Sequence, residues 1–243
     1  MRIAVAQLFV LLFAVVAWGQ TTPTSPSPVF VELFTSEGCS SCPPADALLT
    51  QLEKQGQIDG RPIIVLGEHV DYWNNLGWRD RFSSARFSER QSEYARKFGL
   101  DSVYTPQMVV NGRTEFVGND PAALQKALST EKRSTETVSV EVSCGHDAHI
   151  TVRNSSRGAR VFLAITETNL MTSVRSGENR NRELHHAGVV RQLRDLGPAN
   201  GNFSVTVPIA IDRSWKLANI RVVAFTQNGV GGAIEGAASA ALP

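Results

Sequence analysis

The spacing of apolar and polar positions in the first half of the chain changes from one segment to the next. Short apolar runs, such as Val29–Phe34 and Pro62–Gly67, predict buried strands. Between them, Ala45, Leu49 and Leu52 recur at the spacing of one helical face. The whole pattern predicts the order β-α-β-α-β-β-α, over residues 29–34, 39–55, 62–67, 84–98, 107–110, 114–117 and 121–128. This alternation implies a parallel strand pair joined by a crossover helix, followed by a hairpin and a last helix.

The second half of the chain has a different pattern. Apolar and polar residues alternate over several short runs separated by turns, which is typical of an antiparallel β-sandwich. The runs are residues 137–143, 148–153, 160–166, 203–209 and 220–226. A long polar insertion, Arg175–Gly197, interrupts them, and the one weak helical signal is at Val189–Leu193.

The N-terminus has the pattern of a secretory signal peptide. A positive start is followed by an apolar run and by Ala17-Trp18-Gly19, which carries small residues where a signal peptidase cleaves. The apolar run is shorter than the roughly 20 residues of a spanning helix, so no stable membrane insertion is expected after cleavage. The predicted organisation is a signal peptide (1–19), a Pro/Ser/Thr-rich linker (20–28), an α/β domain (29–132) and a β-sandwich domain (133–243). The mature protein is expected to be secreted or periplasmic.

Charge and cysteine content narrow the possible functions. The formal net charge is +1, which argues against a nucleic-acid partner because such a surface needs a basic excess. The chain has 3 cysteines, and an exported protein meets conditions in which disulfides form. Cys144 stands alone, either as a small buried hydrophobic residue or as a third redox thiol.

Cys39-Ser40-Ser41-Cys42 is the strongest candidate for chemistry. It lies between a strand and the start of a helix, where backbone N–H groups and the helix dipole stabilise a thiolate. Cys39 is the predicted nucleophile and is expected to be the more exposed, and Cys42 is the resolving thiol. Two alternatives remain, a structural disulfide and half of a zinc site. The other cysteine and the 5 histidines offer no second ligand pair, so no metal is predicted.

This motif, together with Thr105-Pro106 directly before the third strand, resembles the thioredoxin superfamily over residues 29–130. The resemblance implies that Pro106 is cis and that Thr105 and Pro106 position the substrate backbone. It also suggests Glu32 on the first strand as a buried acid for proton transfer. The sequence departs from the thioredoxin pattern at Gly38, where a tryptophan is usual, and in the Ser-Ser pair between the cysteines.

More narrowly, several runs resemble a family of secreted bacterial proteins of unassigned role, domain of unknown function 1223. These runs are Glu32–Asp46, His69–Trp73, Gly77-Trp78, Arg175–Asn179, His185-His186 and Val189–Arg191. The resemblance implies a thioredoxin-like fold and supplies no substrate. The predicted fold class is therefore an α/β thioredoxin-like domain followed by a C-terminal antiparallel β-sandwich.

Two further groups of residues are candidates for the site. His69 follows the second predicted strand, at a sheet edge where ligands bind, and could assist proton transfer. Tyr72, Trp73 and Trp78 beside it are expected to pack on the core. The insertion containing His185-His186 could bind a metal or a partner, although adjacent side chains seldom share one ion.

The predicted function is that of an exported thiol–disulfide oxidoreductase, acting through Cys39 and Cys42 on protein or small-molecule thiols. No cofactor is needed, and the expected partner is a thiol- or disulfide-containing protein. One alternative is a non-catalytic secreted binding module with a structural disulfide. Another is a copper-handling protein that uses both cysteines and His69.

Overall fold

The computed structural model describes residues 27–130 and 136–243. The predicted signal peptide, the linker up to residue 26 and the boundary between residues 132 and 133 lie outside these ranges. Among the described residues, no helix is long and apolar enough to cross a membrane.

The first half contains the helices and strands that the sequence predicts, with one short additional strand. They are β1 Val29–Thr35, α1 Pro43–Gln55, β2 Gln57–Ile58, β3 Arg61–His69, α2 Ala85–Phe98, β4 Gln107–Val110, β5 Thr114–Val117 and α3 Pro121–Thr130. Helix α1 begins four residues later than predicted, because Pro43 and Pro44 fit the first turn, where no N–H donor is needed.

The second half is almost entirely strand. Its elements are β6 Thr137–Val142, β7 Asp147–Glu167, β8 Leu170–Ser173, β9 Glu183–His186, β10 Val189–Pro208, β11 Ile220–Asn228 and β12 Ile234–Ala241, with a short 3-10 helix at Leu217–Asn219. Two strands predicted separately, 148–153 and 160–166, belong to the single long strand β7. The weak helical signal at Val189–Leu193 is wrong, since this segment starts strand β10.

The strands of both halves form one mixed sheet, so the predicted fold class is wrong. A ten-stranded sheet runs in the order β12-β11-β7-β10-β3-β1-β4-β5, with β2 beside β3 and β6 beside β7. The prediction of a thioredoxin-like α/β domain followed by a separate β-sandwich therefore fails at the contact between β3 and β10. Strands β8 and β9 form a separate two-stranded hairpin.

Two glycines make the contact between β3 and β10 possible. Gly67 of β3 pairs in parallel with Val189 of β10, and its N–H donates to the Gly188 carbonyl at 2.8 Å. A Cβ atom at Gly67 would lie 3.0 Å from the carbonyl oxygen of Ala187. At Gly188, where φ is +57°, it would lie 2.5 Å from the carbonyl oxygen of Val65. Larger residues would push the two strands apart.

Apolar side chains cover both faces of the central strands. Residues at odd positions of β1, such as Val31 and Leu33, pack with Leu49 of α1. Residues at even positions face the other way, and Phe34 packs with Tyr94 of α2. A third core, which includes Ile150 and Leu163 of β7, fills the space between the long strands of the second half.

A buried ionic cluster lies between α2 and the sheet. The guanidinium of Arg90 contacts the carboxylate of Glu32 at 2.5 Å and that of Glu68 at 3.4 Å, and it donates to Gln227 of β11 at 2.9 Å. Tyr94 donates to Glu32 at 2.5 Å. Burial raises the pKa of Glu68 well above its usual value, the positive charge of Arg90 opposes this rise, and the nearby Glu32 carboxylate adds to it. Arg90 therefore links α2, β1, β3 and β11 through a single charge.

Replacing Arg90 with methionine should lower the free energy of unfolding by about 3–5 kcal/mol, because Glu32 would stay buried without its counter-charge. Urea denaturation of the oxidised protein, followed by circular dichroism, measures this loss. Arg160→Met is the matched control, since it removes the more exposed Arg160–Asp195 pair and should cost far less. Equal losses in the two variants would contradict a special role for the buried cluster.

Candidate functional site

Cys39 and Cys42 form a disulfide at the N-terminus of α1, the position that the sequence predicts for the pair. Cys42 is the residue that precedes the first helical position. Its N–H donates to the Cys39 carbonyl at 3.2 Å, and the Cys39 N–H donates to the Ser36 carbonyl at 3.1 Å. These tight turns hold both cysteines at the positive end of the α1 dipole, where a thiolate is stabilised. The N–H groups of the first turn are not free, because Pro43 and Pro44 carry none and Ala45 donates to the Cys42 carbonyl.

The expectation that Cys39 is exposed is wrong. Both cysteines have 0% of their surface exposed, whereas Ser40 and Ser41 between them face solvent. The loop of residues 174–182, which joins β8 to β9, lies over this segment. The side-chain amide of Asn179 donates to the carbonyls of Glu37 and Cys39, at 2.9 Å each. Glu178 of the same loop accepts from the Ser40 N–H at 3.2 Å.

Thr105 and Pro106 lie next to the cysteine loop. The peptide bond between them is cis, as the resemblance implied. The Thr105 hydroxyl accepts a hydrogen bond from the Trp73 indole at 2.9 Å, and the Thr105 carbonyl accepts a long one from Ser41 at 3.5 Å. The Ser41 hydroxyl in turn lies 3.4 Å from the Cys39 sulfur. The structure thus brings the two predicted positioning residues to the cysteine pair.

His69 is held by a partner that the sequence did not indicate. Its Nδ1 lies 2.6 Å from Oδ2 of Asp80, and Oδ2 also accepts from the Glu37 N–H at 2.8 Å. Burial by itself would raise the pKa of Asp80, but the charge and hydrogen bond of His69 and the N–H groups of Glu37 and Phe82 lower it below its usual value. The hydrogen bond of His69 therefore goes to Asp80 rather than to a cysteine.

The insertion contributes a second buried histidine. His186, at the end of β9, lies with Nε2 3.3 Å from Oε1 of Glu37, and its ring centre is 4.9 Å from that of His69. The other carboxylate oxygen of Glu37 accepts from the Trp78 indole at 2.8 Å. His185 points away, and its side chain is 64% exposed. Neighbouring strand residues face opposite sides, so the two adjacent histidines do not converge on one ion.

Asp46, in the first turn of α1, completes this buried group. Burial raises its pKa to about 7, an effect that His186 and the Thr35 hydroxyl oppose and that Asp80 and Glu37 reinforce. We call Glu37, Asp46, His69, Asp80 and His186 the acid–histidine cluster. Among the described residues, no group of three or more histidine, cysteine or acidic side chains is arranged to hold a metal ion. The cluster is therefore a set of buried acids and histidines, two of which, Glu37 and Asp46, flank the cysteines in the chain.

Two residues singled out in the sequence lie elsewhere. Glu32 is on the face of β1 that packs against α2, where Arg90 and Tyr94 bind its carboxylate, whereas α1 and the cysteines belong to the opposite face. Cys144 is an exposed free thiol in the turn between β6 and β7, so its interpretation as a buried hydrophobic residue is wrong.

Comparison with known proteins identifies the family. Residues 30–227 match the family described as "Protein of unknown function (DUF1223)". The chain belongs to this family. No curated protein matches the chain. The family membership agrees with the resemblance of the runs around Cys39 and Asn179.

Two solved structures are similar to the DUF1223 chain. The crystal structure of protein AGR_C_4864 from Agrobacterium tumefaciens is 30% identical, with a TM-score of 0.71, over 88% of this chain and 94% of the other. HBP35 of Porphyromonas gingivalis is 15% identical, with a TM-score of 0.65, over 89% of this chain and 76% of the other. At that identity, the second likeness concerns the fold alone.

Sequence reasoning missed the site roles of Asp80 and Asn179, and it named His186 only as a possible ligand of a metal or a partner. Asp80 follows Trp78 in a polar stretch with no spacing pattern of its own. Asn179 and His186 lie in runs that resemble the family, but their pattern alone indicates only a polar insertion that could bind a metal or a partner. The resemblance of both runs to one family was the available signal that they belong to a single site.

The raised pKa of Asp46 should make the free energy of unfolding of the protein depend on pH. Its pKa is about 7 in the folded protein and 3.8 in an ordinary environment, so between these values the folded state binds a proton that the unfolded state does not. Stability therefore falls as pH rises through this window. Asp46→Asn removes the titration, so its stability relative to the wild type should increase with pH by about 1.4 kcal/mol per unit.

Urea denaturation at several values between pH 4 and pH 8 measures this difference. Asp101→Asn is the control, because it makes the same substitution at an exposed side chain outside the acid–histidine cluster. A constant difference between Asp46→Asn and the wild type across the window would contradict the raised pKa.

Proposed function

We propose that this protein is an exported thiol–disulfide oxidoreductase that uses Cys39 and Cys42 as its redox pair. The observation that carries the proposal is the disulfide at the N-terminus of α1, where the helix dipole stabilises a leaving or attacking thiolate. The exchange chemistry is the one that the resemblance to the thioredoxin superfamily predicts. The signal-peptide pattern of residues 1–19 supports export, to a compartment where disulfides persist.

In the proposed reaction, a substrate thiolate attacks the Cys39 sulfur of the oxidised protein. A mixed disulfide forms, the Cys39–Cys42 bond breaks, and its electron pair leaves on the Cys42 sulfur. A second substrate thiolate then attacks the substrate sulfur of the mixed disulfide and releases Cys39 as a thiolate. The substrate is oxidised by two electrons to a disulfide, and the pair is reduced to two thiols. The reverse sequence reduces a substrate disulfide.

The surroundings of the pair support this reaction. Thr105 and Pro106 flank the cysteine loop and are the proposed contacts for the substrate backbone. A groove of about 700 Å³ between α1 and β9 is lined by Pro43 and Asp46, directly beyond Cys42. The proposed substrate is a protein or a small molecule that carries thiols or a disulfide.

His69 and Glu32 were both predicted to assist proton transfer, but they lie in different parts of the structure. His69 belongs to the acid–histidine cluster, whose members Glu37 and Asp46 flank the cysteines in the chain, and it stays a candidate. Glu32 is engaged by Arg90 on the opposite face of β1, which favours a structural role.

A second candidate is a non-catalytic binding module in which the disulfide is structural. The observation that favours it is the complete burial of both sulfurs, because a redox pair must meet its partner directly. The reactivity of the pair in the folded protein discriminates between the two candidates.

Counting thiols that react with a maleimide provides that test. The oxidised protein should label once, at Cys144, and the native protein treated with dithiothreitol should label three times, because a redox pair opens without unfolding. Mass spectrometry counts the labels, and circular dichroism confirms that the treated protein remains folded. A single label after the same treatment supports the structural disulfide instead.

A trapping experiment tests the roles of the two cysteines. Cys42→Ala removes the resolving thiol, so a mixed disulfide between Cys39 and a substrate should accumulate and survive non-reducing electrophoresis. Cys39→Ser should trap no substrate at the redox pair and should lose turnover of a peptide disulfide. Cys144→Ser is the control: alone it should keep turnover, and combined with Cys42→Ala it should still trap the substrate. Full turnover by Cys39→Ser would contradict the proposed mechanism.

A further inference from the structure

The loop of residues 174–182 is held against the cysteine segment by Asn179, and its other buried residue, Val174, lies at its base. From Arg175 to Arg182, every residue is exposed except Asn179, which has 0% of its surface exposed. At the base of the loop, the Val174 N–H donates to the Arg182 carbonyl at 3.0 Å. The loop is thus an exposed turn on a hydrogen-bonded base, with a single side chain inserted into the protein.

Asn179 fastens the loop to the backbone that carries the nucleophile. Its Nδ2 group uses both N–H donors, one to the Glu37 carbonyl and one to the Cys39 carbonyl. These carbonyls belong to the turn that presents the Cys39 sulfur. Asn179 therefore connects the position of the loop with the position of the reacting residue.

The remaining hydrogen bonds of the loop with the rest of the protein are made by exposed side chains, although its backbone also packs closely at Gly177 against Gly77 and Trp78. Ser176 donates to the Gly77 carbonyl at 2.6 Å, and Glu178 accepts from the Ser40 N–H at 3.2 Å, and both of these loop side chains are exposed. Exposed hydrogen bonds are readily exchanged for water, so they add little to closure. The two donors of Asn179 are the main polar interaction holding the loop closed.

The closed loop also buries a polar atom without a hydrogen-bond partner, and opening would expose this atom to water. The side-chain oxygen of Asn179 is buried and accepts no hydrogen bond within the described part of the chain. A buried acceptor without a donor destabilises the closed loop, and this cost disappears when the group meets water. The unpaired acceptor therefore offsets part of the gain from the two donors, which favours opening of the loop.

Attack on a disulfide requires the incoming sulfur to approach along the axis of the S–S bond. Neither sulfur offers surface for such an approach, although Ser40 and Ser41 beside them do face solvent. We propose that Asn179 is a positioning residue that latches residues 174–182 over the disulfide, and that exchange proceeds from a state in which this latch is open. The proposal rests on the redox function proposed above for Cys39 and Cys42.

Asn179→Asp is the sharpest test, because it keeps the size of the side chain and removes both donors. An aspartate would set a carboxylate against the Glu37 and Cys39 carbonyls, which favours the open loop. The rate of reduction of the disulfide by dithiothreitol should rise by about tenfold or more, the effect of two lost hydrogen bonds. Dithiothreitol supplies both electrons and is itself oxidised to its cyclic disulfide.

Asn181→Asp is the matched control, with the same substitution in the same loop. Its side chain is exposed, and asparagine and aspartate both tolerate its positive φ of +65°. Its reduction rate should stay within about twofold of the wild type. An equal acceleration in both variants would mean that added charge, rather than the latch, changes the rate, and would overturn the proposal.

The dependence on reductant concentration gives a second, independent readout. If opening precedes attack, the wild-type rate should reach a plateau at high dithiothreitol, and Asn179→Asp should raise that plateau. Adding sub-denaturing urea should hardly change the rate, because a small loop exposes little surface when it opens. A steep urea dependence that matches global unfolding would overturn the latch and support a structural disulfide.

The outcomes for the latch and for the proposed function are separable. Faster reduction of Asn179→Asp by dithiothreitol, with no turnover of a peptide disulfide by either the variant or the wild type, would support the latch and contradict the oxidoreductase function. Normal turnover with an unchanged reduction rate in Asn179→Asp, in a variant whose circular dichroism is that of the wild type, would support the oxidoreductase and overturn the latch.

Discussion

The contact between β3 and β10 is the constraint on which the rest of the structure depends. It joins strands from the two halves through one parallel pair, Gly67 with Val189, and it is possible because Gly67 and Gly188 carry no side chains at the point of closest approach. Strand β3 carries His69 at its end, and β10 directly follows the hairpin that carries Asn179 and His186. The contact therefore sets that hairpin above the cysteine pair.

The site is consequently built from segments distant in the chain. The first half supplies the disulfide, Asp46 and the His69–Asp80 pair, and the insertion supplies His186 and the cover. Burial raises the pKa of Asp46, the insertion opposes this rise through the charge of His186, and the first half adds to it through Asp80 and Glu37.

Local patterns along the chain predicted most helices and strands and the position of the cysteines at a helix start, because these follow from periodicity and from proline at Pro43. The pairing of β3 with β10 could not be predicted, since a single glycine contact leaves no periodic signal. The burial of Cys39 was missed for a related reason, as the residue that donates to its carbonyl, Asn179, lies 140 residues away in the chain. Asp80 was missed because nothing in the sequence distinguishes this acid from others in polar loops. Its role follows only from its contact with His69.

The shared sheet also has a consequence for any attempt to divide this protein. A fragment ending near α3 would lose the Gly67–Val189 pair between β3 and β10, and Leu66 of β3 would lose its packing with Val190. Unpaired strand edges recruit other chains through their free N–H and carbonyl groups. Arg90 would at the same time lose its contact with Gln227. Fragments of either half are thus prone to self-association, and the cysteine motif is best handled within the intact chain.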